Sequence, residues 1–131
     1  MSCLRVLVAD DNPAMLQAVV DMLSEEFDVV GAMTGGTSVL QKYPSLRPDV
    51  IVLDISLGDM TGFDLVRQLH ELGCTAKVVF LTVHQGQDFV RAAAGMGVSG
   101  YVYKSQTEAL REVIVAVSEG KRWFPLDFED Q

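Results

Sequence analysis

The chain has 131 residues, 18 acidic against 10 basic side chains, and a formal net charge of −8. That length suits one domain with its own core, and 49% hydrophobic with 21% charged residues argues against a disordered chain. The acid excess argues against gripping nucleic-acid phosphates and leaves a cation or a basic partner.

The start, Met-Ser-Cys-Leu-Arg, lacks the basic start, apolar stretch and cleavage site of a signal peptide. Leu4 to Ala9 is rich in Val and Leu and reads as a strand, closed by Asp10, Asp11 and Asn12. Pro13 suits a first helical turn, and Leu16, Val19, Val20, Leu23 and Phe27 recur at helical spacing. Val29 to Met33 is a second strand. Gly35-Gly36-Thr37 lacks the Lys and spacing of a phosphate loop and reads as a turn, with Thr37 capping a short helix to Tyr43. Val50 to Asp54 is a third strand, nearly all apolar before its Asp. Thr61 and Asp64 stand in capping-box spacing at the head of a helix running to Leu72, which Gly73 stops. His70 sits late in that helix, where a cation suits the dipole. Lys77 to Thr82 is a fourth strand, Gln87 to Ala94 a weaker helix, and Gly100 to Lys104 a fifth strand. Ser105 and Glu108 read as a second capping box, ahead of the stripe Leu110, Val113, Ile114 and Val117 that ends at Gly120.

The unit β-α thus occurs five times. Its runs are apolar throughout, which suits strands covered on both faces of a parallel sheet with right-handed crossovers. Such sheets bind ligands at the carboxyl ends of their strands. Those ends carry Asp10, Asp11, Asp54, Thr82 and Lys104. Three carboxylates in one place repel, and a hard cation relieves them; oxygen donors without Cys or His suit Mg²⁺. With Lys104 as a second positive charge and Thr82 as a hydroxyl, the set suits phosphoryl transfer onto Asp54. Each residue alone has a plainer reading. Asp10 and Asp11 would favour a helix start, Thr82 a strand and Lys104 the surface. Cys3 and Cys74 form no CxxC pair and read as reduced thiols of a cytoplasmic protein; no apolar run is long enough to span a membrane.

Five segments together resemble the receiver domain of bacterial two-component response regulators. They are Val-Leu-Val-Ala-Asp-Asp-Asn at 6–12, Asp-Val-Ile-Val-Leu-Asp-Ile at 49–55, Met-Thr-Gly-Phe at 60–63, Phe-Leu-Thr at 80–82 and Gly-Tyr-Val-Tyr-Lys at 100–104. The resemblance implies a flavodoxin-like (CheY-like), doubly wound α/β fold, with five parallel strands in the order 2-1-3-4-5 and five helices. It makes Asp54 the phosphoacceptor, charged by a sensor histidine kinase or a phosphotransfer protein. Asp11, Asp54 and the backbone carbonyl of Ser56 would ligate Mg²⁺, with Asp10 acting through water. Lys104 would pair with phosphoryl oxygens, Thr82 would turn to the phosphate, and Tyr101 would swing inward behind it. Homodimerisation on phosphorylation is a further expectation, and this domain itself should not bind nucleic acid.

The departures have consequences. Gly58 replaces a usual Pro, so the loop after Asp54 should be looser. Val83 replaces a small residue and should slow small phosphodonors. Ser105 in place of Pro, with Gly-Lys-Arg-Trp-Phe at 120–124, points to receivers joined to LuxR-type helix-turn-helix output domains. His84 lies beside the site, and Trp123 falls beyond the last helix, away from it. Residues 1–124 are read as the receiver and 125–131 as a tail or linker start. Among competing functions, an aspartyl-phosphate hydrolase would need an acid at Ser56, and a flavodoxin-type carrier a Ser/Thr/Gly-rich first loop. A receiver-shaped interaction module working without phosphorylation is the alternative that remains.

Overall fold

The computed structural model describes residues 3–125, so the expected tail lies outside them beyond Pro125. The elements are β1 (Arg5–Ala9), α1 (Pro13–Leu23), β2 (Asp28–Met33), α2 (Gly36–Leu46), β3 (Val50–Leu53), α3 (Gly62–Glu71), β4 (Lys77–Thr82), α4 (Gln87–Gly95), β5 (Gly100–Tyr103) and α5 (Leu110–Ser118). The five strands form one parallel sheet in the order β2-β1-β3-β4-β5, as expected.

Alternation along the central strands divides the core into two layers. Val6, Val8, Val50, Val52, Val79 and Leu81 face α1 and α5. Leu7, Ala9, Ile51, Leu53, Val78 and Phe80 face α2, α3 and α4. Each fully buried side chain of this size stabilises the fold by about 2 kcal/mol. That is why the strands are apolar on both faces and read as continuous runs.

Two helices differ from expectation. Helix α2 continues three residues past Tyr43, through Pro44. Proline removes one N–H from the ladder. The last turn is held otherwise: Arg47 N donates to the Tyr43 carbonyl at 3.0 Å, and the Arg5 guanidinium donates to the Leu46 carbonyl at 2.7 Å. At the other end of the chain, Ser105 caps no helix. Lys104–Ala109 is a 3₁₀ segment broken by non-helical backbone at Gln106, and α5 begins only at Leu110 without a side-chain cap. A capping box at Ser105 has no α-helix to serve.

Register places the site. Ala9 pairs with both Met33 and Leu53 across the adjacent strands. The next residues therefore leave the sheet side by side: Asp10 N donates to the Met33 carbonyl and Asp54 N to the Ala9 carbonyl, each at 3.0 Å.

Candidate functional site at the carboxyl edge of the sheet

Asp10, Asp11 and Asp54 each present a carboxylate oxygen within 4.8 Å of the others. Asp10 and Asp54 are buried and Asp11 is exposed, so the cluster opens to solvent at Asp11. None of the three is used to cap α1. Asn12 does that, its side chain accepting from Ala14 N at 3.0 Å and Met15 N at 3.1 Å. The plainer reading of Asp10 and Asp11 as helix caps therefore fails. Asp10 instead accepts from Asn12 N at 2.9 Å.

Lys104 enters from the end of β5. Its Nζ lies 2.8 Å from Asp10 Oδ2 and 2.8 Å from Asp54 Oδ2. Burial alone would lower the ammonium's pKa, but the hydrogen bonds to Asp10 and Asp54 outweigh it and hold it above the usual lysine value. One ammonium still faces three carboxylates. Unit charges at about this range repel by roughly 4 kcal/mol per pair near a protein surface. The all-oxygen donor set, without thiolate or imidazole, fits a hard divalent cation.

Thr82 ends β4 fully buried, its hydroxyl accepting from His84 N at 3.3 Å. Tyr101 is also fully buried, packed edge-on against Phe80, and its hydroxyl donates to the His84 carbonyl at 2.7 Å. Burial, then the charges of Tyr103 and Asp54, push its phenol well above the ordinary tyrosine range. Tyr101 thus points inward here.

Residues 6–115 match the family described as the response regulator receiver domain. The chain belongs to that family. It is 33% identical over 123 residues to the nitrate/nitrite response regulator NarP of Escherichia coli, covering 92% of this chain and 57% of NarP. It is 34% identical to the virulence transcription regulator BvgA of Bordetella pertussis, covering 92% of this chain and 59% of BvgA. The crystal structure of a LuxR-family response regulator from an Aurantimonas species matches with a TM-score of 0.90 at 27% identity, covering 96% of this chain and 92% of that one. The chain spans about three fifths of the length of NarP, DesR and BvgA.

In this receiver, the strand-end residues named from the sequence are brought together. Asp10, Asp11, Asp54 and Lys104 form one charged cluster, and Thr82 stands at the end of the neighbouring strand. Ser56 follows in the exposed loop, with its N–H 3.4 Å from Asp54 Oδ1.

That loop is not loose. Gly58 adopts φ +77°, a conformation proline cannot take, so the missing Pro reflects a different turn. Ser56 and Thr61 form an antiparallel bridge, and Gly62 N donates to the Ile55 carbonyl at 2.6 Å. Gly62 sits so close that a Cβ would meet the Asp54 carbonyl at 2.7 Å. Asp59 then fastens the loop to α2, accepting from Gly36 N at 2.9 Å and Thr37 N at 3.0 Å. Asp59, not Thr37, caps that helix. The Thr37 and Gly36 hydrogen bonds bring its carboxyl down to about 2.

Sequence reasoning missed Asp59, because its partners lie 22 and 23 residues away. Trp123 lies beyond the last helix, as expected, and its carbonyl accepts from Tyr101 N at 3.0 Å.

Proposed function

We propose that this receiver is a Mg²⁺-dependent switch phosphorylated on Asp54 by a sensor histidine kinase or a phosphotransfer protein. One observation carries the reading: Lys104 bridges buried Asp10 and Asp54 beside exposed Asp11, leaving uncompensated negative charge around one reactive carboxylate. In the reaction, an Asp54 carboxylate oxygen attacks phosphorus, the P–N bond of the donor phosphohistidine breaks, and the imidazole leaves with the electron pair. An acyl phosphate results. Asp11, Asp54 and the Ser56 carbonyl would hold Mg²⁺, with Asp10 acting through water. The ion supplies charge neutralisation on the transferring group. Lys104 would leave Asp54 Oδ2 for a phosphoryl oxygen while keeping Asp10. Thr82 would donate its hydroxyl hydrogen to the phosphate, while its oxygen goes on accepting from His84 N. Tyr101 would stay inward behind it.

The similarity to NarP, BvgA and a LuxR-family regulator supports a transcriptional output of the LuxR type, joined beyond a receiver of residues 1–124 and a linker beginning at 125. A cytoplasmic location fits, and no helix among the described residues is long and apolar enough to cross a membrane. Homodimerisation on phosphorylation is part of the same reading.

The test is intact mass after incubation with Mg²⁺ and a small phosphodonor such as acetyl phosphate. Wild type gains one phosphoryl group and Asp54→Asn gains none. Transfer that persists in Asp54→Asn moves the acceptor elsewhere. No transfer to wild type, from the small donor or from phosphohistidine, leaves the interaction module that needs no phosphate. The inward Tyr101 is the observation that favours that second reading. Gel filtration with and without beryllofluoride reads the dimer.

A further inference from the structure

Strand β5 is an edge of the sheet, yet its outer side is occupied. After α5 the chain returns along it. Trp123 N donates to the Ser99 carbonyl at 2.9 Å, Tyr101 N donates to the Trp123 carbonyl at 3.0 Å, and Gly100 and Trp123 form a parallel bridge. Trp123 thus makes a single parallel bridge on the outer side of β5, within a segment, 121–125, that runs along it. The side chains on either side of that bond anchor it. Arg122 Nη2 donates to the Ala94 carbonyl at 2.9 Å and lies 3.4 Å from the Val98 carbonyl, tying the strap to the end of α4. Its guanidinium stacks 4.9 Å above the Phe124 ring. Trp123 packs against the core layer under α1 and α5, and Phe124 against the other.

Tyr101 links this strap to the charged cluster. Its N–H holds Trp123, while its hydroxyl holds the carbonyl of His84, whose N–H is in turn held by Thr82. Strap, β5 and the loop before α4 therefore share one residue. Helix α4, which Arg122 grips at its C-terminal end, has no side-chain cap at its N-terminal end beside that loop. Trp123 and Pro125 also line a groove of about 540 Å³ with Gln85 and Ser105, so the strap has open space beside it.

We propose that residues 121–125 are a strap whose hold on β5 tightens when Asp54 is phosphorylated, which makes Arg122 and Trp123 part of the switch. The inference rests on Asp54 being the phosphoacceptor. A phosphoryl group that engages Thr82 fixes the loop at His84, whose carbonyl accepts the Tyr101 hydroxyl, and so steadies β5 at the residue whose N–H bonds Trp123. Linkage makes the effect reciprocal: loosening the strap weakens binding of a phosphate mimic by the same factor.

The experiment is amide exchange by NMR at Tyr101 and Trp123, with Mg²⁺ alone and with Mg²⁺ and beryllofluoride. Fluorine resonances of the bound mimic are recorded in the same sample. Trp123 is the only tryptophan, so its emission reads the strap directly. With mimic bound, exchange at both amides slows by about fivefold or more, and the emission moves to the blue. Arg122→Ala then binds the mimic more weakly by a matching factor, and Arg122→Lys recovers part of it. Bound mimic with unchanged exchange and emission overturns the strap and leaves the phosphoacceptor intact. No bound mimic in wild type overturns both.

Discussion

Lys104 Nζ has a carboxylate oxygen at 2.8 Å on either side, and both of those carboxylates are buried. Removing the ammonium leaves two like charges out of water without the cation that pairs them, a loss of about 3 kcal/mol or more. Lys104→Met should therefore lower the denaturant midpoint in EDTA. Added Mg²⁺ should restore part of the loss, because a divalent ion answers the same charge. An unchanged midpoint in EDTA would mean that Asp10 and Asp54 do not depend on Lys104. Val83 presents a different case at the same scale. It follows buried Thr82 but is itself 66% exposed, so its branched side chain does not support the core and is bulk that a donor approaching Thr82 would have to pass. Val83→Ala should raise the rate of phosphorylation by acetyl phosphate severalfold while leaving the midpoint within about 0.5 kcal/mol of wild type. A rate that stays level or falls removes Val83 as the obstruction.

The loop from Ile55 to Thr61 behaves as an element, held at both ends and at its tip. Its tip hold is Asp59, whose carboxylate takes two N–H groups at the start of α2. The cap is exposed, so solvent screening keeps its worth at about 1 kcal/mol or less. Its pH dependence has a definite sign. The folded pKa lies below the ordinary aspartate value of 3.8, at about 2. The contribution is thus complete above about pH 4 and is lost as pH falls towards 2. Asp59→Ala should be less stable than wild type at pH 6, with the gap closing by pH 2. A gap that stays constant over that window would separate the stability loss from the charge. Gly58→Pro tests the turn itself: φ +77° is closed to proline, so the change should cost more than about 1 kcal/mol. These two residues also mark where the sequence stops being legible. The two-faced core and the meeting of Asp10, Asp11, Asp54 and Lys104 follow from run lengths and strand ends, and the strand order from the resemblance to receivers. A carboxylate that caps a helix 22 residues upstream leaves no local pattern. Nor does a strap that pairs with a strand more than twenty residues before it. Looseness at Gly58 and a cap at Thr37 are both local expectations; the loop's own bridge answers the first, and the contact of Asp59 with α2 answers the second.

At the scale of the whole molecule, a net charge of −8 repels itself, and any added salt relieves part of that repulsion. A stabilising effect of Mg²⁺ therefore has two sources, general screening and binding at the cluster. They separate by linkage. A ligand that binds only the folded chain adds about 2.7 kcal/mol at a hundred times its Kd, whereas screening depends on ionic strength alone. Thermal unfolding in MgCl₂ and in NaCl of matched ionic strength should then differ by several degrees for wild type. Asp11→Asn removes the exposed carboxylate of the cluster while leaving the buried pair with Lys104 in place, so its two curves should nearly coincide. Asp59→Asn carries the same net charge as Asp11→Asn but lies outside the carboxylate cluster, so it should keep the difference. If both variants lose it equally, the excess reflects overall charge and the three carboxylates hold no ion. If only Asp11→Asn loses it, the cation sits where the strand ends put their negative charge.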